Sequence, residues 1–379
     1  MATQPRFISA EDHVIEHPRV WTERLSKTRW GDRIPHLERD AEGAGCWLAD
    51  GMKLGLLGNG SVGALMADRA AAPRSWDDVP NAAYQPAERL KALDVAGIDY
   101  SVLYPTIAGI AGETFGRIRE AALELDCVRA YNDWLVEEWT GCSERFVAQC
   151  IVPLSSVEAA VEEIERAVAK GHKGVILPPV PRHLRDLPHI NDNYYDPIWR
   201  TCEKLGVPIC FHASGSPDLR LPAYEGFSPA IAAAFDTIAS PASAVPLVSN
   251  FIVSRVLERF PGLKVVFAGS ALGWIAFTLE ATDYEFNQFS VARQIPYELK
   301  PSEAFQRQCY AVAWYDRANL RRACEYPGAE NILWSAMMPM SGSSWPNCLG
   351  EAESRSRDLP DQARDKVLWR NAATLYKLS

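Results

Sequence analysis

Short apolar runs rich in β-branched residues alternate along this chain with longer stretches in which apolar positions recur every three or four residues, a pattern that predicts parallel strands joined by crossover helices. The strands fall at 6–10, 99–105, 145–153, 173–179, 207–212, 264–270, 309–314 and 331–336, and eight is the number that closes a (β/α)8 TIM barrel of the α/β class. Helices are predicted over 117–139, 156–171, 196–206, 249–262 and 362–378, the second opening with serine and glutamate placed like a capping box. Two stretches break the rhythm: 18–85, rich in Gly, Asp and Arg, and 213–243, rich in Ser, Pro and Ala. Each follows a strand, so each is expected as a lid-type insertion at the C-terminal face, where barrel enzymes carry their sites. The whole of 1–379 reads as one barrel domain.

Composition narrows the function classes. A net charge of −9 with no strongly basic run argues against nucleic acid as the main partner. The first residues lack the pattern of a signal peptide, and no stretch of about 18 apolar residues appears, so the expectation is a cytoplasmic protein that does not enter the membrane. Nine scattered cysteines form no CxxC pair, and Cys150 and Cys210 lie inside apolar strands; reduced, buried thiols are expected. No GxSxG elbow, Walker loop or GxGxxG fingerprint is present, which leaves a small-molecule substrate as the expected partner and a homodimer as a compatible state.

Of seven histidines, two close predicted strands, His13 and His212, which places both at the active face. His17, His36, His172, His183 and His189 are expected at the surface. Glu11 and His13 are two apart in an extended segment and therefore point to one side. With His212 they make two imidazoles and one carboxylate, a set able to hold Zn²⁺ with an open position, or Fe²⁺ as a facial triad. Tyr104, Ser214, Ser270, Trp334, Met337 and Met340 are candidates for substrate contact, and Asp12 for acid–base work. Asp316, Arg317 and Ser335 are further polar candidates, while Asn132 and Asp133 lie on a helix and are expected to brace the barrel.

The segments FISAEDHVIEHPRVW, GVILPP with NYYDPIWRTCEKLGVPICFHASG, FPGLKVVFAGSALGWI and ENILWSAMMPMSGSSWPN resemble the amidohydrolase-related family that includes aminocarboxymuconate-semialdehyde and dihydroxybenzoate decarboxylases. The resemblance covers nearly the whole chain. It implies ligands from the first strand as HxH or ExH, a histidine from the fifth, a histidine or acid from the sixth and an aspartate from the eighth. Glu11, His13 and His212 match. Gly269 stands where the sixth-strand acid is usual, and Met337 where the aspartate is, with Met340 at the place of a common histidine. That aspartate also handles the proton of a metal-bound water, so the usual route to hydrolysis is absent. Three methionines in four residues make this wall of the pocket apolar.

Three functions compete. The first is a lyase, decarboxylase or rearrangement enzyme acting on an apolar molecule that bears a carboxylate or phenol, with one weakly held divalent metal (Zn or Fe) or none. The second is a non-haem iron oxygenase using the triad, and the third a catalytically silent barrel that binds a ligand or partner. All three share the expectation that Glu11, His13 and His212 converge on one pocket and that no two-metal centre forms.

Overall fold

A computed structural model describes residues 6–41, 43–56, 61–69, 72–215, 223–288 and 297–379. Its strands, in chain order, are β1 (Ile8–His13), β2 (His36–Arg39), β3 (Gly45–Ala49), β4 (Met52–Gly55), β5 (Tyr100–Tyr104), β6 (Phe146–Ala148), β7 (Cys150–Ile151), β8 (Val175–Ile176), β9 (Ile209–His212), β10 (Val265–Ala268), β11 (Cys309–Ala313) and β12 (Ile332–Trp334). Leaving β2–β4 aside, all are paired in parallel, in the order β1-β5-β6 and then β7-β8-β9-β10-β11-β12. β6 and β7 are two pieces of one extended run parted at Gln149, so they count as a single barrel strand and the total is eight.

The ring closes between β12 and β1 without a regular ladder. His13 N–H donates to the Met338 carbonyl at 2.6 Å and Ala336 N–H to Ser9 Oγ at 2.8 Å, while Ser335 Oγ donates to the Glu11 carbonyl at 2.5 Å. Apart from Tyr100 and Tyr310, every residue of the barrel strands is buried, as expected of a parallel sheet covered by helices.

The observed strands are mostly shorter than the apolar runs, and β1 starts and ends later, so Glu11 and His13 lie within it rather than beyond it. The 117–139 helix is Ala121–Trp134 followed by a wide turn over Leu135–Thr140. Val157–Ala169 is capped by Ser156, whose side chain accepts the Ala159 N–H, with no glutamate completing a box. Asp196–Leu205 stops at Gly206, where φ is +64° and a left-handed turn favours glycine. The 249–262 helix is two pieces, Ala244–Val253 and Val256–Arg259, parted at Arg255 with φ +62°. Helices at Pro86–Ala96, Ile275–Gln288 and Pro301–Gln308 complete the series.

The 18–85 stretch carries β2–β4 as a small antiparallel sheet. Its Trp47 is fully buried edge-on to Trp21, which meets Phe115 in turn. Ala64 N–H donates to the Pro339 carbonyl, and Arg69 donates to the carbonyls of Ser341, Ser343 and Trp345, so this insertion lies against the segment that follows β12. Residues 42, 57–60 and 70–71 of the first insertion, and 216–222 of the 213–243 stretch, lie outside the described residues. Among the described residues no helix is long and apolar enough to cross a membrane, and the described cysteines carry no disulfide.

Candidate active site

At the C-terminal ends of β1 and β9 the side chains of Glu11, His13 and His212 meet, each offering a donor atom within 4.8 Å of the others, and all three are buried. Period-two alternation along β1 aims Glu11 and His13 the same way. His212 arrives because β9 pairs with β10 in register, His212 opposite Ala268.

Hydrogen bonds fix the protons. Pro105 has only a carbonyl to offer His13 Nδ1, at 3.4 Å, so Nδ1 donates and Nε2 keeps a lone pair; that Nε2 is buried without a hydrogen-bond partner, 3.7 Å from Glu11 Oε1. His212 has the reverse arrangement. Its Nδ1 accepts the Ser214 N–H at 3.1 Å, so the proton sits on Nε2, which donates to Glu11 Oε1 at 2.9 Å. The other carboxylate oxygen accepts the Gly269 N–H at 2.7 Å. Burial alone raises the Glu11 carboxyl, but His212 and then His13 outweigh it and hold the group at about 2, so it is ionised across the neutral range.

Gly269 has φ +60°, and a Cβ there would lie 2.5 Å from His212 Cε1. The glycine that replaces an acid in the family pattern is therefore what admits the imidazole and lends its N–H to Glu11. Met337, at the aspartate position, is half-buried with φ +57° and offers no oxygen from its side chain.

Other expected residues are placed differently. Asp12 points to the opposite face of β1 and accepts from Ser101 Oγ at 2.6 Å and from Met338 N–H at 2.8 Å; burial lifts it to about 6, and its place away from His212 comes from the same alternation that pairs Glu11 with His13. Ser270 Oγ donates to the carbonyls of Phe267 and Ala271, which leaves it no proton for a substrate. Tyr104 touches both imidazoles with its ring, at centroid distances of 5.9 and 5.8 Å, and burial raises its phenol well above the ordinary range. Trp334 is core, Met340 is half-buried, and Ser214 acts through its backbone. Asp316 accepts the Leu272 N–H and Arg317 pairs with Asp358. His172, expected at the surface, is buried with Nε2 on the Asn132 carbonyl, because the turn that leads into β8 packs against the Ala121–Trp134 helix.

A small cavity, about 10 Å³, touches the residues on either side of the site, Ala213 after His212 and Ala268 before Gly269. A larger one of about 500 Å³ lies outside it. The backbone donors at Ser214 and Gly269 carried no signal in the sequence beyond the glycine itself.

A parallel eight-stranded barrel with an ExH strand end and a histidine from its fifth strand defines an enzyme scaffold of the amidohydrolase type. The chain belongs to the amidohydrolase family, whose profile matches residues 36–378. It is 24% identical over 302 residues to the gamma-resorcylate decarboxylase of Polaromonas sp. (strain JS666 / ATCC BAA-500), covering 77% of this chain and 87% of that one. Its fold is similar to that of an amidohydrolase from Mycobacterium avium subsp. paratuberculosis K-10, with a TM-score of 0.76 at 20% identity over 99% of this chain and 98% of that one. It is also similar to a dihydroxybenzoic acid decarboxylase from Polaromonas sp. JS666, solved with bound manganese and the inhibitor 2-nitroresorcinol, with a TM-score of 0.65 at 17% identity over 99% and 98%.

Proposed function

We propose that this protein is a lyase that removes a carboxylate from a phenol-bearing aromatic acid, with His13 carrying the proton transfers and Glu11, held by His212, supporting its charged form. The observation that supports it most is the opposite protonation of two imidazoles on one buried carboxylate: His13 presents a lone pair and His212 a proton. His13 Nε2 accepts the phenol proton, and the imidazolium so formed delivers it to the ring carbon that bears the carboxylate, while neutral His212 keeps its Nε2–H on Glu11. The carbon–carbon bond then breaks, its electrons return to the ring as phenolate and CO₂ leaves. The phenolate takes its proton from solvent, so one proton is consumed per turnover. Glu11 stays ionised and stabilises the His13 imidazolium, 3.7 Å away.

A divalent metal fits this donor set poorly. A ligating histidine normally donates its other ring N–H to an acceptor, but His212 Nδ1 faces an N–H. Both oxygens of Glu11 are engaged by protein donors, and the remaining family positions are Gly269 and Met337. Only His13 Nε2 is suited to a metal, so no step is assigned to one.

The test compares turnover of gamma-resorcylate and related hydroxybenzoates by wild type, with and without chelator, against His212→Ala. Loss of turnover in His212→Ala with activity retained in chelator is expected. Complete loss on chelation, restored by zinc or iron, would overturn the metal-free assignment in favour of the facial triad; turnover that survives removal of His212 would overturn the assignment of the site.

A further inference from the structure

The cavity of about 500 Å³ lies between the 179–191 loop after β8 and the Ala244–Val253 helix, with Pro179, Ile190 and Leu247 as apolar walls. Its volume is that of a small-molecule site. Arg182 and the imidazoles of His183 and His189 line it, and no carboxylate does among the described residues. Arg182 is exposed at the cavity's mouth. His189 Nδ1 accepts the Asn191 N–H at 3.2 Å, so its proton is on Nε2, available to a ligand. Asn191 itself is held by Ser254 through Nδ2 at 2.8 Å, while its Oδ1 is buried without a partner.

This cavity shares Pro179 and Leu247 with the small one, which in turn touches Ala213, Ala268 and Ser270. The two therefore adjoin, and the small one borders the residues flanking His212 and Gly269.

We propose that the outer cavity is an anion-binding antechamber, in which the carboxylate of an aromatic acid rests on Arg182 and His189 Nε2 with its ring against Pro179, Ile190 and Leu247 before it passes inward. The aromatic-acid class rests on the function proposed above; the anion preference rests on the cavity alone. A cationic mouth concentrates an anionic substrate at a buried, closed site and orients its carboxylate outward from the apolar neck.

The experiment is equilibrium dialysis of gamma-resorcylate and of benzoate against full-length His212→Ala protein, with Arg182→Gln and Arg182→Lys added in turn. Saturable binding of both acids is expected, weakened about five- to tenfold by Arg182→Gln and largely kept by Arg182→Lys, since the loss is that of one charge-assisted hydrogen bond at an open site. Resorcinol, which lacks the carboxylate, should bind equally weakly to all three. Unchanged affinity in Arg182→Gln, or no saturable binding at all, would overturn the antechamber, even where His212→Ala has lost turnover and the catalytic assignment stands. Retained turnover in His212→Ala would instead overturn the catalytic assignment and leave the binding result readable.

Discussion

Glu16 shows how burial and hydrogen bonding compete at one residue. Its carboxyl accepts the backbone N–H groups of Thr106, Ile107 and Ala108, the last two at 2.8 and 3.1 Å, and so holds the loop after β5. Burial wins over these bonds and lifts the group from 4.5 to about 7. The folded state therefore binds the proton more tightly than the unfolded one. Stability from this group is complete below 4.5 and is lost as pH rises through about 7. Relative to Glu16→Gln, the wild type should lose up to about 3 kcal/mol between acidic and alkaline pH. Urea unfolding of both proteins across that window checks this, and a difference that does not move with pH would contradict it. Gly269 and Ser214 act at the same scale through their N–H groups, a contribution that residue type does not encode.

At the scale of elements, the Ala121–Trp134 helix braces the third barrel strand through one side chain. Asn132 Nδ2 donates to the Ile151 carbonyl at 3.0 Å and to Glu163 Oε1 at 2.7 Å, and its Oδ1 accepts the Ile151 N–H at 3.0 Å. Those bonds serve β7, which is only two residues long. Asn132→Leu, close in volume, leaves the Ile151 groups and one Glu163 oxygen without this partner in a buried place. It should cost about 2–4 kcal/mol, read as a lower urea midpoint at an unchanged slope. The bracing role was legible in the sequence from helix position; the partner was not, because strand lengths depend on pairing across the barrel. The helices that the apolar period outlined poorly, such as Pro86–Ala96, are those whose buried face is narrow: only Arg89, Ala92, Leu93 and Ala96 are buried.

The whole molecule depends on how its ring is closed. Ser9 and Ser335 hydrogen-bond across the seam between β1 and β12, and Ser335 also accepts the Met337 N–H at 2.9 Å. Replacing both with alanine should destabilise the fold by about 2–3 kcal/mol, and by more than the sum of the two single changes if the seam opens as a unit. Thermal unfolding of the four proteins measures that coupling, and strict additivity would contradict a cooperative seam. By itself, the chain's alternation of apolar runs and helical periods determined a parallel eight-stranded barrel, because each buried strand must be apolar on both faces and each crossover must be long enough for a helix. The ExH spacing on one strand and a histidine ending another likewise determined which side chains converge, since alternation and strand ends follow from local geometry. Only the tertiary structure decided what they do there. Which imidazole nitrogen carries the proton depends on Pro105 and Ser214; the place of Asp12 depends on Ser101 and Met338; and the space that His212 occupies depends on an absent side chain at Gly269. These partners are far apart in the chain or are backbone groups, so their chemistry exists only once the barrel has brought them together.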